Sequence, residues 1–201
     1  MTKSQQNISV TLATASQARI DMFARAGFLI DAKPAAIDEA TIKASLLSEG
    51  ATPQDIADAL AEMKASRIAA KTNGFVIGAD QILVCADKIY DKAPDMIAAK
   101  EKLMALQGKS HTLLSAAVIY EDGKPVWRKI GRAQLIMRPI SEVEIDHYLA
   151  QEGAAILSSV GCYFLEGRGV TLFSRIQGDY FTVLGFPLLD VLGYLRDRSV
   201  I

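Results

Sequence analysis

The chain predicts an α/β fold with a mixed sheet, on three observations. Apolar runs of strand length are interspersed with helical patterns from the start of the sequence. Two long strand candidates meet at an Asp-Gly turn, which demands some antiparallel pairing. Half of the 201 residues are apolar and 22% are charged, enough for a packed core and too apolar for disorder. The 22 Lys and Arg residues nearly cancel the 23 Asp and Glu, leaving a formal net charge of −1. That balance argues against a protein that coats nucleic acid or an anionic membrane. Any phosphate chemistry must come from a local cluster of cations. The length suggests one domain spanning residues 1–201, or one domain with two lobes.

Taken in order, Ile8 to Leu12 reads as a short strand. The small polar stretch Ala13-Thr14-Ala15-Ser16 leads into a helix carrying Ile20, Phe23 and Ala24, which Gly27 ends. Thr52-Pro53 opens the second helix, a cap followed by Pro at the first helical position, with Ile56, Leu60, Met63 and Arg67 at helical spacing. Phe75 to Ala79 is apolar and stops at Asp80; Ile82 to Cys85 resumes, and Ala86-Asp87-Lys88 turns into Ile89-Tyr90. Pro94-Asp95 starts a helix that Gly108 stops. Thr112 to Tyr120 and Val126 to Met137 form the hairpin, joined by Glu121-Asp122-Gly123-Lys124. Ser141-Glu142-Val143-Glu144 is a capping box opening a helix to about Ala150. Shorter strands are expected to fill Gly161 to Ile176, and Pro187 to Arg196 reads as a closing helix.

Cys85 and Cys162 stand far apart in no CxxC pattern, which reads as two buried free thiols in a reducing compartment. The opening residues lack a signal-peptide core and no run reaches membrane-spanning length, so a cytoplasmic location is expected. His111 and His147 fit no HExxH, and no GxxxxGK[ST] occurs, which speaks against zinc hydrolase, Ser-His-Asp and P-loop chemistry.

Four places could carry chemistry. Ser16 and Arg19 stand at a strand-to-helix turn, where unpaired N–H groups and the positive helix end favour an anion. An ordinary cap beside a solvated arginine reads the same way. Asp80 interrupts an apolar run, so it is either a strand-end turn residue or a buried carboxylate that needs a cation. Asp38-Glu39 could ligate Mg²⁺ through oxygen or simply start a helix. Lys64, Arg67 and Lys71 form a stripe on one helix and Lys92 follows the next strand; a solvated face is the common meaning of such a stripe. Together, carboxylates, cations and a helix N-terminus make a phosphoryl-transfer set. With no kinase, P-loop or histidine motif, the set points to direct attack by water.

In this order the motifs resemble the Maf family of nucleoside triphosphate pyrophosphatases almost end to end. They run LATASQARIDMFARAGF, LAEMKASRIA, VIGADQILV, IYDKAPD, GKSHTLLSAAVIY, ISEVEIDHYL and SVGCYFLEGRGVTLFSRIQGDYFTVLGFPLL. The resemblance implies an ITPase-like α/β fold, with an elongated mixed sheet, two lobes and a central cleft. It implies hydrolysis of a nucleoside triphosphate to the monophosphate and pyrophosphate with Mg²⁺ or Mn²⁺, and dimers are common in such proteins. Asp80 matches the aspartate taken as proton acceptor. Ser16 and Arg19 match the opening signature, Glu39 the acidic residue after the first helix, Lys64 the lysine of the second helix, and Lys92 the lysine of a GKP segment. Here that segment is interrupted by Ala93. Asp95 is a further candidate to assist the metal. The implied ion is held by Glu39 and Asp80, with Arg19, Lys64 and Lys92 offsetting leaving-group charge.

Three positions distinguish branches of the family: arginine, threonine and glutamine for dTTP and UTP, and tryptophan, glutamine and glutamate for 7-methyl-GTP. The matching residues are Ala18, Gln81 and Glu166, two of which follow the second branch. A carboxylate at Glu166 accepts the paired donors of a guanine edge. Ala18 cannot stack on a cationic base as tryptophan does. The pattern therefore fits a purine preference or a broad nucleotide range. An inosine/xanthosine triphosphatase shares the general fold, but the GAD and SxxR segments favour Maf. A non-catalytic nucleotide-binding regulator of cell division, suggested by the family's link to septum formation, would not need the full set of site residues.

Overall fold

The structure, a computed structural model, describes residues 10–201. It has seven strands and seven α-helices in an α/β arrangement among the described residues. Strand β1 (Val10–Ala13) pairs in parallel with β2 (Asp31–Ala32) and with β3 (Phe75–Cys85). Strand β4 (Lys88–Tyr90) turns back antiparallel on β3. Beyond β3 the sheet continues through β5 (Ser110–Glu121), β6 (Lys124–Met137) and β7 (Phe173–Gln177), the last antiparallel to β6. The sheet is mixed, as the sequence predicts. Ile8 and Ser9, the start of the first expected strand, lie outside the described residues.

Local chemistry sets the element ends. Helix α1 (Gln17–Arg25) stops before Gly27, whose φ of 83° suits glycine. The second helix along the chain is α2 (Glu39–Ser48), capped by Asp38, so the helix at Pro53 is the third rather than the second. None of the α2 residues is buried, although Ile42, Leu46 and Leu47 lie along it, so the helix is not marked out by a core-facing side. Helix α3 (Pro53–Ala69) has the reciprocal capping box of Thr52 and Asp55. Helix α4 (Met96–Leu106) is capped by Asp95, and α5 (Glu142–Glu152) by the Ser141–Glu144 box. Asp122 (φ 47°) and Gly123 (φ 80°) form the two-residue turn of the β5–β6 hairpin.

The region from Gly161 to Ile176 departs from expectation. Only β7 is a strand there; the rest is irregular, with a 3-10 segment at Arg168–Leu172. Gly169 shows why. A Cβ at that position would lie 2.4 Å from the Phe164 carbonyl oxygen, so the chain folds tightly on itself instead of extending. The short helix α6 (Tyr180–Val183) precedes the closing helix α7 (Leu188–Asp197).

The chain divides into two compact units. The first takes the residues up to Asp80 with Ala116–Ile130 and Pro187–Ile201. Its core includes Leu12, Phe23, Ile56, Leu60, Ile77, Ile119 and Leu195, all nearly inaccessible. The second takes Gln81–Ser115 and Gly131–Phe186. Its core gathers Leu83, Leu103, Leu106, Leu135, Ile145, Ile156 and both cysteines, which are buried free thiols. Among the described residues no helix is long and apolar enough to cross a membrane.

Candidate active site

In the first unit, Asp80 lies inside continuous strand β3 and is not a turn residue; it is 7% exposed. A carboxylate there costs free energy unless it is paired. The partner comes from α3, which reaches β3 because Gly78 has no side chain. A Cβ on Gly78 would lie 2.1 Å from the Ala61 carbonyl oxygen and 2.5 Å from the Ala65 nitrogen. Helix and strand are thus in backbone contact beside Asp80, and Lys64, one residue short of Ala65, donates from Nζ to Asp80 Oδ1 at 2.6 Å.

The same Nζ lies 2.8 Å from Glu39 Oε1. The Asp38-Glu39 pair therefore divides its work. Asp38 caps α2, accepting from the Thr41 backbone nitrogen and hydroxyl, while Glu39 in the first turn faces Lys64. Of the expected basic stripe, Lys64 is buried and Arg67 exposed on α3, while Lys71 lies beyond the helix end, exposed in the turn that follows. Arg19, also buried, donates from Nη1 to the Ala79 carbonyl oxygen at 3.0 Å, on the residue before Asp80. Burial pulls the Arg19 guanidinium below its ordinary value, and the Asp80 and Glu39 carboxylates pull it back up. Two buried cations and two carboxylates are so brought together from α1, α2, α3 and β3.

Ser16 completes the helix end of this group. It holds the extended conformation of an N-cap, but its side chain makes no cap hydrogen bond. Its backbone nitrogen instead donates to Thr14 Oγ1 at 3.0 Å. The hydroxyl is thus not spent on the cap, and it stands at a helix N-terminus, which favours an anion.

The remaining candidates, Ala18 apart, belong to the second unit. Lys92 is exposed between β4 and α4. Its segment is held by Ala93, which is buried in the core, and by Lys102, which donates to the carbonyl oxygens of Asp91 and Val160. Burial pulls Lys102 below its ordinary value, so this lysine is a structural tether, one that the sequence reading passed over. Asp95 is engaged as the α4 cap, accepting from the Ala98 nitrogen at 2.8 Å. Glu166 stands exposed at the corner of a turn closed by Gly167 N–H donating to the Phe164 carbonyl. Ala18 is half-buried on α1 in the first unit.

Gln81 is the most constrained. Its Nε2 donates to Ser115 Oγ at 3.1 Å and to the carbonyl oxygens of Thr182 and Val183 at 3.2 and 3.1 Å. Ser115 Oγ in turn donates to the Thr182 carbonyl at 2.8 Å, so three acceptors fix which end of the amide is which. The amide oxygen is the end that can still accept. Ser115 and Thr182 are both fully buried, and neither was singled out in the sequence because isolated hydroxyl residues carry no pattern.

Among the described residues no group of three or more His, Cys, Asp or Glu gathers as a metal cage. Glu39 and Asp80 nonetheless fit Mg²⁺, which is commonly held by one or two carboxylates plus substrate phosphates and water.

Known proteins resemble this chain along almost its whole length. The family model described as Maf-like protein matches residues 9–198. A relative from Caulobacter vibrioides named "Nucleoside triphosphate pyrophosphatase" is 48% identical over 187 residues, 93% of this chain and 94% of the relative. One from Jannaschia sp. named "Nucleoside triphosphate pyrophosphatase 1" is 50% identical over 191 residues, 94% of this chain and 96% of its own. A relative from Rhizobium meliloti named "7-methyl-GTP pyrophosphatase" is 44% identical over 191 residues, again 94% and 96%. With a family model spanning all but its ends and relatives near half identity along its length, this chain belongs to the Maf family.

Proposed function

We propose that this chain is a nucleoside triphosphate pyrophosphatase, cutting the bond between the α- and β-phosphates to release the monophosphate and pyrophosphate. The observation that carries the reading is the buried Asp80 carboxylate, held by Lys64 together with Glu39 and flanked by Arg19. Asp80 takes a proton from the water that attacks the α-phosphorus. Lys64, Arg19 and Lys92 offset charge on the departing pyrophosphate, and the Ser16 hydroxyl with the α1 N-terminus receives phosphate oxygens. Glu39 and Asp80 would hold Mg²⁺ or Mn²⁺, which when bound supplies Lewis-acid stabilisation of phosphate charge. Glu166 and the Gln81 amide oxygen are both acceptors, which suits a base that presents N–H donors, as a guanine edge does. Relatives carrying both names stand at similar identity, so the reading includes a purine preference and not strict selection of 7-methyl-GTP.

Asp80→Asn tests the reading. Its amide oxygen still accepts from Lys64, so the fold is kept while the base is lost. Turnover is expected to fall about 10²–10⁴-fold, the range for losing a positioned general base. The assay takes 7-methyl-GTP, GTP, UTP, dTTP, CTP and ITP with Mg²⁺ or Mn²⁺. Pyrophosphate as product supports the reading; substantial activity in the variant, or orthophosphate as product, refutes it. Preference for ITP would point to the inosine enzyme, and no turnover of any nucleotide to the binding regulator.

A further inference from the structure

The two carboxylates that the site offers a divalent cation are already paired within the protein. Lys64 Nζ is 2.6 Å from Asp80 Oδ1 and 2.8 Å from Glu39 Oε1, so one ammonium occupies the point where both converge. Lys64 and Asp80 are buried, so water screens the pair little. Arg19 adds a second buried cation whose charge acts on both carboxylates. The four charges cancel. A free divalent cation entering this cluster must displace the Lys64 ammonium from a mostly buried pair, and it leaves two units of positive charge uncompensated. A metal–triphosphate complex meets a different site. Its phosphate oxygens accept the Lys64 ammonium and offset Arg19, and the carboxylates are released as the metal arrives. Lysine suits this exchange, being a compact charge on a flexible stem, whereas a guanidinium fork would hold a carboxylate in a fixed geometry.

We propose that Lys64 is a resident counter-ion that closes the site to free divalent cation, so that the metal enters with its triphosphate and Lys64 passes from carboxylate to phosphate as it does. This rests on the reading of Glu39 and Asp80 as the metal-holding pair. The test measures Mn²⁺ binding by electron paramagnetic resonance of the free ion, on the full chain without nucleotide and with a non-hydrolysable α,β-methylene triphosphate. The wild-type chain is expected to leave Mn²⁺ free without nucleotide and, with the analogue, to take up Mn²⁺ beyond what the analogue alone takes up in solution. Lys64→Met, with its fold checked by circular dichroism, is expected to bind Mn²⁺ alone at least tenfold more tightly. That gain should vanish in the Lys64→Met, Asp80→Asn double variant. Lys64→Gln serves if the methionine variant does not fold. Wild-type binding of Mn²⁺ without nucleotide as tight as with it overturns the proposal, as does a folded Lys64 variant with no gain. The pyrophosphatase reading is judged separately by pyrophosphate release from the wild-type chain, so either can fail while the other stands.

Discussion

Gly78→Ala tests whether the helix–strand contact builds the site. The added Cβ would lie 2.1 Å from the Ala61 oxygen, 2.5 Å from the Ala65 nitrogen and 2.9 Å from the Ala65 Cβ. Two of these atoms are backbone and the third is a Cβ, so no side chain can rotate away. Non-bonded carbon contacts settle at about 3.5–4.0 Å, so α3 and β3 must part by roughly 1 Å. Such overpacking costs about 1–3 kcal/mol, which for a chain of this size lowers Tm by roughly 2–12 °C. The Lys64–Asp80 bond at 2.6 Å bridges the same two elements and stretches with them. A misplacement of that order costs about 10² in rate. Differential scanning fluorimetry and a pyrophosphate-release assay read the two effects together. Gly193→Ala is the control: it lies in α7 with nothing within 4 Å of its added Cβ. There the change should be neutral or stabilise by up to about 1 kcal/mol. A Gly78→Ala variant with unchanged Tm and normal turnover would refute the contact's role.

Two more outcomes follow from the second unit. His111 is buried with Nε2 against the Tyr163 hydroxyl at 2.7 Å and Nδ1 without a partner, and burial lowers its pKa to about 4. The unfolded chain, titrating near 6.5, takes up the proton first as pH falls. Stability from this residue is thus whole above about pH 6.5 and is lost between there and about pH 4, by roughly 3 kcal/mol. Tm followed from pH 7.5 to 4 in wild type and His111→Gln should show a slope that the variant lacks; parallel profiles would refute the assignment. Asp95→Ala should cost about 1 kcal/mol of stability through the lost α4 cap, while the Mn²⁺ concentration giving half-maximal activity stays unchanged; a large rise in that concentration would show that Asp95 assists the metal as well as capping α4.

What could be read in advance divides by the range of the interaction. Caps and turns are local, so Thr52-Pro53, Asp95, Ser141 and Asp122-Gly123 announce element ends that the structure reproduces. Helix α2 is legible only at its start, where Asp38-Glu39 can open a helix, because it buries no face that would mark its length. The stretch from Gly161 to Ile176 misleads because its Tyr, Phe, Val and Ile content is that of a strand, while Gly169 tightens it into a turn. Lys64 is the instructive site residue. Its stripe with Arg67 and Lys71 reads as solvated, and for those two it is. What sets Lys64 apart is a carboxylate sixteen residues on in another element, which no window along the helix contains.

The order of side chains along β3 makes that separation necessary. Successive residues of a strand face opposite ways, so Gly78 and Asp80 share the face that meets α3, while Gln81 turns to Ser115 and the α6 carbonyls. The glycine admits the helix and the aspartate two residues later receives its lysine; either alone would be a defect, a gap in packing or an unpaired buried charge. The VIGADQ motif is therefore one steric device with two polar faces. Its ionic face is the one where a change of partner, from carboxylate to phosphate, is chemically open, because one flexible ammonium, that of Lys64, bridges Glu39 and Asp80. The amide face has no such freedom, since all of its Nε2 bonds end on buried acceptors, which makes Gln81 a fixed reference and Lys64 the part that moves.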